Sequence, residues 1–137
     1  MAIIAAMDPT TAPSCPPDHV PIRRVLVSVF DKTGLDRLAR GLAAADVEVV
    51  STGGTARALA SHGLNVIDIS AVTGFPEVLD GRVKTLHPNV FAGILARRDR
   101  SDDMAILAEH GIGLFDAVIV NLYAFEEAIA RPDCRPH

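Results

Sequence analysis

The chain has 137 residues, 49% of them hydrophobic, with 13 Lys and Arg against 17 Asp and Glu, a net charge of −4. That is about one domain with a substantial core, and the interspersed charge argues against disorder. The acidic balance excludes a broad nucleic-acid-binding face, and five Phe, one Tyr and no Trp leave no base-stacking platform for single strands.

Two cysteines, Cys15 and Cys134, show neither CxxC nor His-rich spacing. They suggest no zinc site and no disulfide framework, and a reducing cytoplasm is the simplest location. The opening Met-Ala-Ile-Ile-Ala-Ala-Met is too short to span a bilayer and lacks a basic flank, so we expect no signal peptide and no membrane span.

Residues 1–22 hold five of the nine prolines and read as a flexible tail. The folded unit is expected over 23–131, with 132–137 as a second tail. Arg24–Phe30 (RVLVSVF) is a β-branched apolar run suited to a buried parallel strand. Asp31-Lys32-Thr33-Gly34 turns the chain. Leu35, Leu38, Ala39 and Leu42 then recur at helical spacing. A strand is expected at 47–51, and Thr52-Gly53-Gly54-Thr55 leads into a helix at roughly 56–62. Gly63 takes the position after a helix end, and 65–69 forms a third strand. Residues 70–93 read as one irregular Gly/Pro-rich loop, of a length that in compact domains tends to be functional. Ile94-Leu95-Ala96 reads as a brief strand or helical turn. Ser101 caps a helix running to about His110, with Asp102 and Asp103 in its first turn. Ala117–Asn121 is the last strand, and 126–130 looks like a helix start. Strand–helix alternation of this kind gives an α/β fold: a three-layer parallel sheet with helices on both faces.

Ligands of such sheets bind at the carboxyl ends of the strands, where the polar clusters fall. The loop Gly81-Arg82-Val83-Lys84-Thr85-Leu86-His87-Pro88 packs three potential cations and a hydroxyl into eight residues. In an extended loop Arg82 and Lys84 point the same way, and like charges so placed call for an anion between them. Lys84 could stabilise an oxyanion or move a proton. The glycines of 51–55 can turn backbone N–H groups toward an anion at a helix N-terminus, although a plain strand-to-helix turn capped by Thr55 serves as well. Lys32 follows the first strand beside that turn, and Asp31 reads as a turn residue. Tyr123 and Asn121 follow the last strand, either as substrate contacts or as structural groups. His62, His87 and His110 read as structural. Glu77 and Asp80 read as solvated turn residues rather than a catalytic pair.

The strings SVFDKTG (28–34), STGGT (51–55), VTGFPEVLDGRVKTLHP (72–88), GILARR (93–98) and VNLYAFEE (120–127) resemble the N-terminal domain of the bifunctional purine biosynthesis proteins. Those proteins join an inosine monophosphate (IMP) cyclohydrolase to a formyltransferase. The resemblance covers roughly 24–130 and implies a methylglyoxal-synthase-like fold. It implies closure of the formamido-imidazole-carboxamide ribotide ring to IMP with loss of water. No cofactor or metal is needed. The implied partner is a purine mononucleotide, without nucleic acid or membrane, and a homodimer is compatible with it. By position, Lys84 and Tyr123 match the catalytic groups. Phe30, Asp31, Lys32, Thr52, Gly53, Gly54, Thr55, Arg82, Val83, Thr85 and Asn121 match substrate-binding positions.

Two departures stand out: Ala124 replaces a common proline, and Phe30 stands where some relatives carry a small polar residue. The family continues past this point into a glycine-rich catalytic segment and the formyltransferase domain. A fragment that binds nucleotide but turns over weakly is therefore expected. A regulatory nucleotide-binding domain of the same fold and a methylglyoxal synthase are the alternatives.

Overall fold

The computed structural model describes residues 20–81, 83–122 and 125–130. Its centre is a four-stranded parallel sheet in the order β3-β2-β1-β4, with β1 at Arg24–Ser28, β2 at Glu48–Ser51, β3 at Val66–Asp68 and β4 at Ala117–Val120. All three pairings are parallel, and Val25 and Leu26 sit between Val49 and Val50 on one side and Ala117 and Val118 on the other.

Alternation along β1 sends its valines and Leu26 to opposite faces. Val25, Val27 and Val49 pack with Leu35, Ala39 and Leu59, from helices α1 (Leu35–Ala44) and α2 (Gly53–Ser61). Leu26 and Val50 pack on the other face with Ile69, Val90 and Phe115. Those partners come from α3 (Ile69–Thr73), α4 (Pro88–Leu95) and the segment before β4. Each of the four central valines is at most 1% exposed, and burying such a side chain stabilises by about 1.5–3 kcal/mol. The expected three-layer α/β sheet is therefore present.

Several boundaries differ from the sequence reading, for identifiable reasons. The first strand ends at Ser28 because residues beyond it turn into the loop held by Asn121. Helix α2 begins at Gly53, three residues earlier than expected, because Gly53 adopts φ 42 and lets the helix start on the first glycine. Thr52, not Thr55, is its N-cap residue.

The stretch 70–93 is not one loop. Asp68 caps α3 by accepting from Ser70 N at 2.9 Å. Pro88 opens α4 instead of blocking a helix, with His87 Nδ1 accepting from Asn89 N at 3.1 Å. Proline at a first helical position loses no bond that the helix would have made. Ile94 and Leu95 are the end of that helix. Helix α5 spans Ser101–Glu109 with Arg100, not Ser101, at the N-cap, and α6 spans Phe125–Ile129.

At the amino ends of the strands, Asp116 accepts from the Arg23 and Arg24 backbone N–H groups at 2.7 and 2.8 Å and from Arg98 at 2.7 Å. Burial opposes ionisation there, but those donors hold the Asp116 carboxyl below its ordinary range. This knot joins β1 to β4 at the edge opposite the cleft described next.

Candidate functional site

A cleft of about 650 Å³ opens at the carboxyl ends of the strands, lined by residues that include Ser28, Lys32, Thr52, Gly54, Lys84 and Asn121. It lies where the order reverses between β1, which pairs with β2, and β4 on its other side. Open parallel sheets have a ready-made crevice at such a point.

Its floor is locked from below. Thr55 is buried, and its hydroxyl donates to Val29 O at 2.9 Å and accepts from Val29 N at 3.2 Å. Thr52 is 1% exposed, and its hydroxyl lies 3.3 Å from Ser28 Oγ. Ser51 donates to Val27 O at 2.6 Å. The start of α2 is thereby fixed to the end of β1. The hydroxyl of Thr55 is spent on that task and is no free donor to a ligand. Among the described residues, no group accepts from the amides of Gly53 or Gly54, the first N–H groups of α2, and Gly54 lines the cleft.

Asn121 is similarly committed. Its Oδ1 accepts from Phe30 N at 2.7 Å and Asp31 N at 3.3 Å, and its Nδ2 donates to Asp31 O at 2.7 Å. The side chain staples the end of β4 to the loop after β1, so its structural reading is the one its geometry supports. Asp31 accepts from Thr33 N at 2.9 Å and Thr33 Oγ1 at 2.7 Å, a turn-forming pattern. Those two bonds, with Lys32 nearby, hold its carboxyl below the ordinary range.

The cations come from three directions. Lys32 Nζ donates to Phe30 O at 3.2 Å and would lie 4.0 Å from a methyl group placed on Gly54. Arg57 Nη2 would lie 3.9 Å from the same point. Lys84 lines the same cleft with Gly81. The half-buried connector carrying Lys84 is not simply extended. Val78 and Val83 exchange backbone bonds of 3.1 and 3.3 Å across a tight turn. Both backbone groups of Val83 are thus used within the connector. Neither Val83 nor Thr85 lines the cleft. Arg82 and Tyr123 lie outside the described residues.

The sequence reading missed Ser28, Arg57, Gly81 and the position of Glu77. Ser28 had a signal, since it is the last residue of the central strand. Glu77 had none: its carboxylate stands beside Gly53 and Gly81 and is not a solvated turn group. Asp80 is exposed as expected. Among the described residues, no group of three or more His, Cys, Asp or Glu could hold a metal ion. Nor is any helix among them long and apolar enough to cross a membrane.

Comparison with known proteins agrees with this architecture. The chain is 59% identical over 114 residues to the bifunctional purine biosynthesis protein PurH of Roseobacter denitrificans, covering 83% of this chain and 22% of that one. It is 58% identical over 113 residues to the PurH of Dinoroseobacter shibae, covering 82% and 21%. The PurH of Mesorhizobium japonicum is 59% identical over 111 residues, with 81% and 21% covered. The chain thus spans about a fifth of the length of the curated relatives it matches. Among solved structures, one described as "Crystal structure of ForH" superposes with a TM-score of 0.66 at 40% identity, covering 74% of this chain and 51% of that one. The family of MGS-like domains matches residues 34–135. With a parallel sheet of the expected kind and a cleft at its switch point, the chain belongs to the MGS-like domain family.

Proposed function

We propose that this chain carries the IMP cyclohydrolase site of a bifunctional purine biosynthesis protein, with a purine mononucleotide as its ligand. The supporting observation is the meeting of Lys32, Lys84 and the start of α2 in one cleft. Three independent chain segments supply those groups. A regulatory nucleotide domain would need the amides of α2 but gives Lys84 no task.

The amides of Gly53 and Gly54, with Lys32 and Arg57, form a cradle for the 5′-phosphate of the nucleotide. Asn121 and Thr55 act indirectly, by fixing the two loops that shape it. A phosphate held there lets the ring end of the ligand extend toward Lys84. In the reaction, the carboxamide nitrogen attacks the formyl carbon and the C–N bond forms. The formyl oxygen takes up two protons and leaves as water: one is given up by the attacking nitrogen and one by the formamido nitrogen, which forms the new C=N bond. Lys84 stabilises negative charge on the departing oxygen and hands it a proton. The substrate already carries both reacting groups on one ring, so the site contributes by holding them aligned within the clamped nucleotide. Arg82 and Tyr123 are assigned to the same reading by position in sequence.

The test is a pair of measurements on the whole chain. Isothermal titration with IMP should show binding that Lys32→Ala weakens by at least about tenfold. Any ring closure followed by absorbance should vanish in Lys84→Met while IMP binding persists. No IMP binding, or turnover that survives Lys84→Met, contradicts the proposal.

A further inference from the structure

β4 is an edge strand without protection. It ends the strand order and pairs with β1 alone. Among the described residues, no group meets its outward backbone N–H and C=O groups. Residues 117–122 (AVIVNL) carry no charge and no proline. Charges and prolines are the devices that stop an edge strand from adding a further strand. The opposite edge, β3, is only three residues long and carries Asp68.

Each end of the β4 edge holds groups that the single chain leaves unmatched. At the amino end, a mostly apolar cavity of about 340 Å³ is lined by Val20, Pro21 and Leu114, with Arg23 among its lining residues. Past the carboxyl end, α6 opens on Phe125, 69% exposed, and on Glu126, also exposed. Arg23 is exposed as well, and among the described residues neither Arg23 nor Glu126 forms an ion pair.

We infer that two copies of this chain join through β4. The two strands pair antiparallel about a two-fold axis, so that one sheet runs through both copies. Antiparallel pairing sets the carboxyl end of each β4 beside the amino end of the other. Phe125 of each copy fills the cavity of the other, and Glu126 pairs with Arg23. Both contacts occur twice, as two-fold symmetry requires. A parallel join would set Arg23 against Arg23 and Glu126 against Glu126, and would fill neither cavity. The occupant is a second copy because ring and cavity, anion and cation, stand on this same chain at opposite ends of one strand. The join uses the edge of β4 and leaves open the face that carries Val118 and Val120. It is independent of what the cleft binds.

Sedimentation equilibrium of the whole chain, from about 1 to about 200 μM, tests this. A species of twice 14.5 kDa should form, with a Kd in the micromolar range expected of a small interface. Glu126→Arg should weaken association by at least about tenfold, because each copy loses an ion pair and gains a repulsion. Arg23→Glu should do the same, and the double variant, with both signs exchanged, should return to within about threefold of wild type. Phe125→Ser should weaken association by at least about tenfold and leave the urea midpoint of dilute protein unchanged, since the ring is exposed in a single copy.

A chain that stays at 14.5 kDa at the highest concentration overturns the proposal. So does a dimer that tolerates Glu126→Arg and Phe125→Ser, or one that a double variant with native circular dichroism fails to restore. If Arg23→Glu disturbs the fold, Glu126→Arg and Phe125→Ser decide alone. A second measurement needs no variant: the outward amides of β4 should exchange hydrogen more slowly as concentration rises. Exchange that ignores concentration contradicts pairing at this edge.

Discussion

Thr55 shows how a residue can look like a ligand contact and serve the scaffold. Its hydroxyl makes both bonds to the Val29 backbone from a buried position. Thr55→Val leaves a buried N–H and C=O unpaired. We expect a loss of about 1–3 kcal/mol in urea unfolding, with weaker phosphate binding as the loop after β1 loosens. A stability unchanged from wild type would contradict the lock described here. Asp103 makes a separate, pH-dependent prediction. Arg97 donates to both of its oxygens, at 3.0 and 2.9 Å, and lowers its pKa from 3.8 to about 2. A carboxyl depressed in the folded state contributes stability above its unfolded pKa, and that contribution is lost as pH falls from about 4 toward 2. Asp103→Asn should therefore flatten the stability profile across that window and leave its shape near neutrality unchanged.

At the scale of elements, α4 carries the most specific predictions. Its N-cap is His87, whose Nδ1 accepts from Asn89 N. His87→Ala should cost about 1 kcal/mol and His87→Asn distinctly less, read by thermal unfolding. Further along, Gly93 is buried against the carbonyl oxygen of Gly113, and an added methyl group would overlap that oxygen and crowd Phe115. Phe115 N also donates to Gly93 O at 2.9 Å, which ties α4 to the chain entering β4. Gly93→Ala should destabilise by about 2 kcal/mol or more, and a neutral result would show that α4 lies farther out. This element also marks where sequence reading stops working. The strands were legible as β-branched runs, and β1 and β2 bury theirs on both faces. In α4, Pro88 looks like a breaker until His87 is seen capping it, and whether a proline breaks or begins a helix depends on the preceding turn. Gly53 poses the same problem, since only its left-handed φ places the start of α2.

Across the whole molecule, the covering of the sheet is uneven. Central β1 is packed on both faces. On β4 the alternation leaves Val118 and Val120 at 41% and 62% exposure, continued by Leu122 and Phe125. Val27→Ala should accordingly cost about 2 kcal/mol. Val120→Thr should change stability by less than about 0.5 kcal/mol. Equal costs would mean that β4 is covered in solution. The candidate site was legible in its cationic and glycine-rich parts, Lys32, Gly53, Gly54 and Lys84, because their chemistry is written in residue type. The work of Asn121 and Thr55, and the placing of Glu77 beside Gly53 and Gly81, depend on which loop meets which across the strand order, and local sequence does not encode that.

If a phosphate held at the start of α2 anchors a purine nucleotide in this cleft, removing that phosphate must cost most of the affinity. Parallel titrations of the whole chain with IMP and with inosine test it most directly, because the two ligands differ only in the phosphate. IMP should bind more tightly than inosine by at least about a hundredfold. Equal affinities, or no binding of IMP, would contradict it.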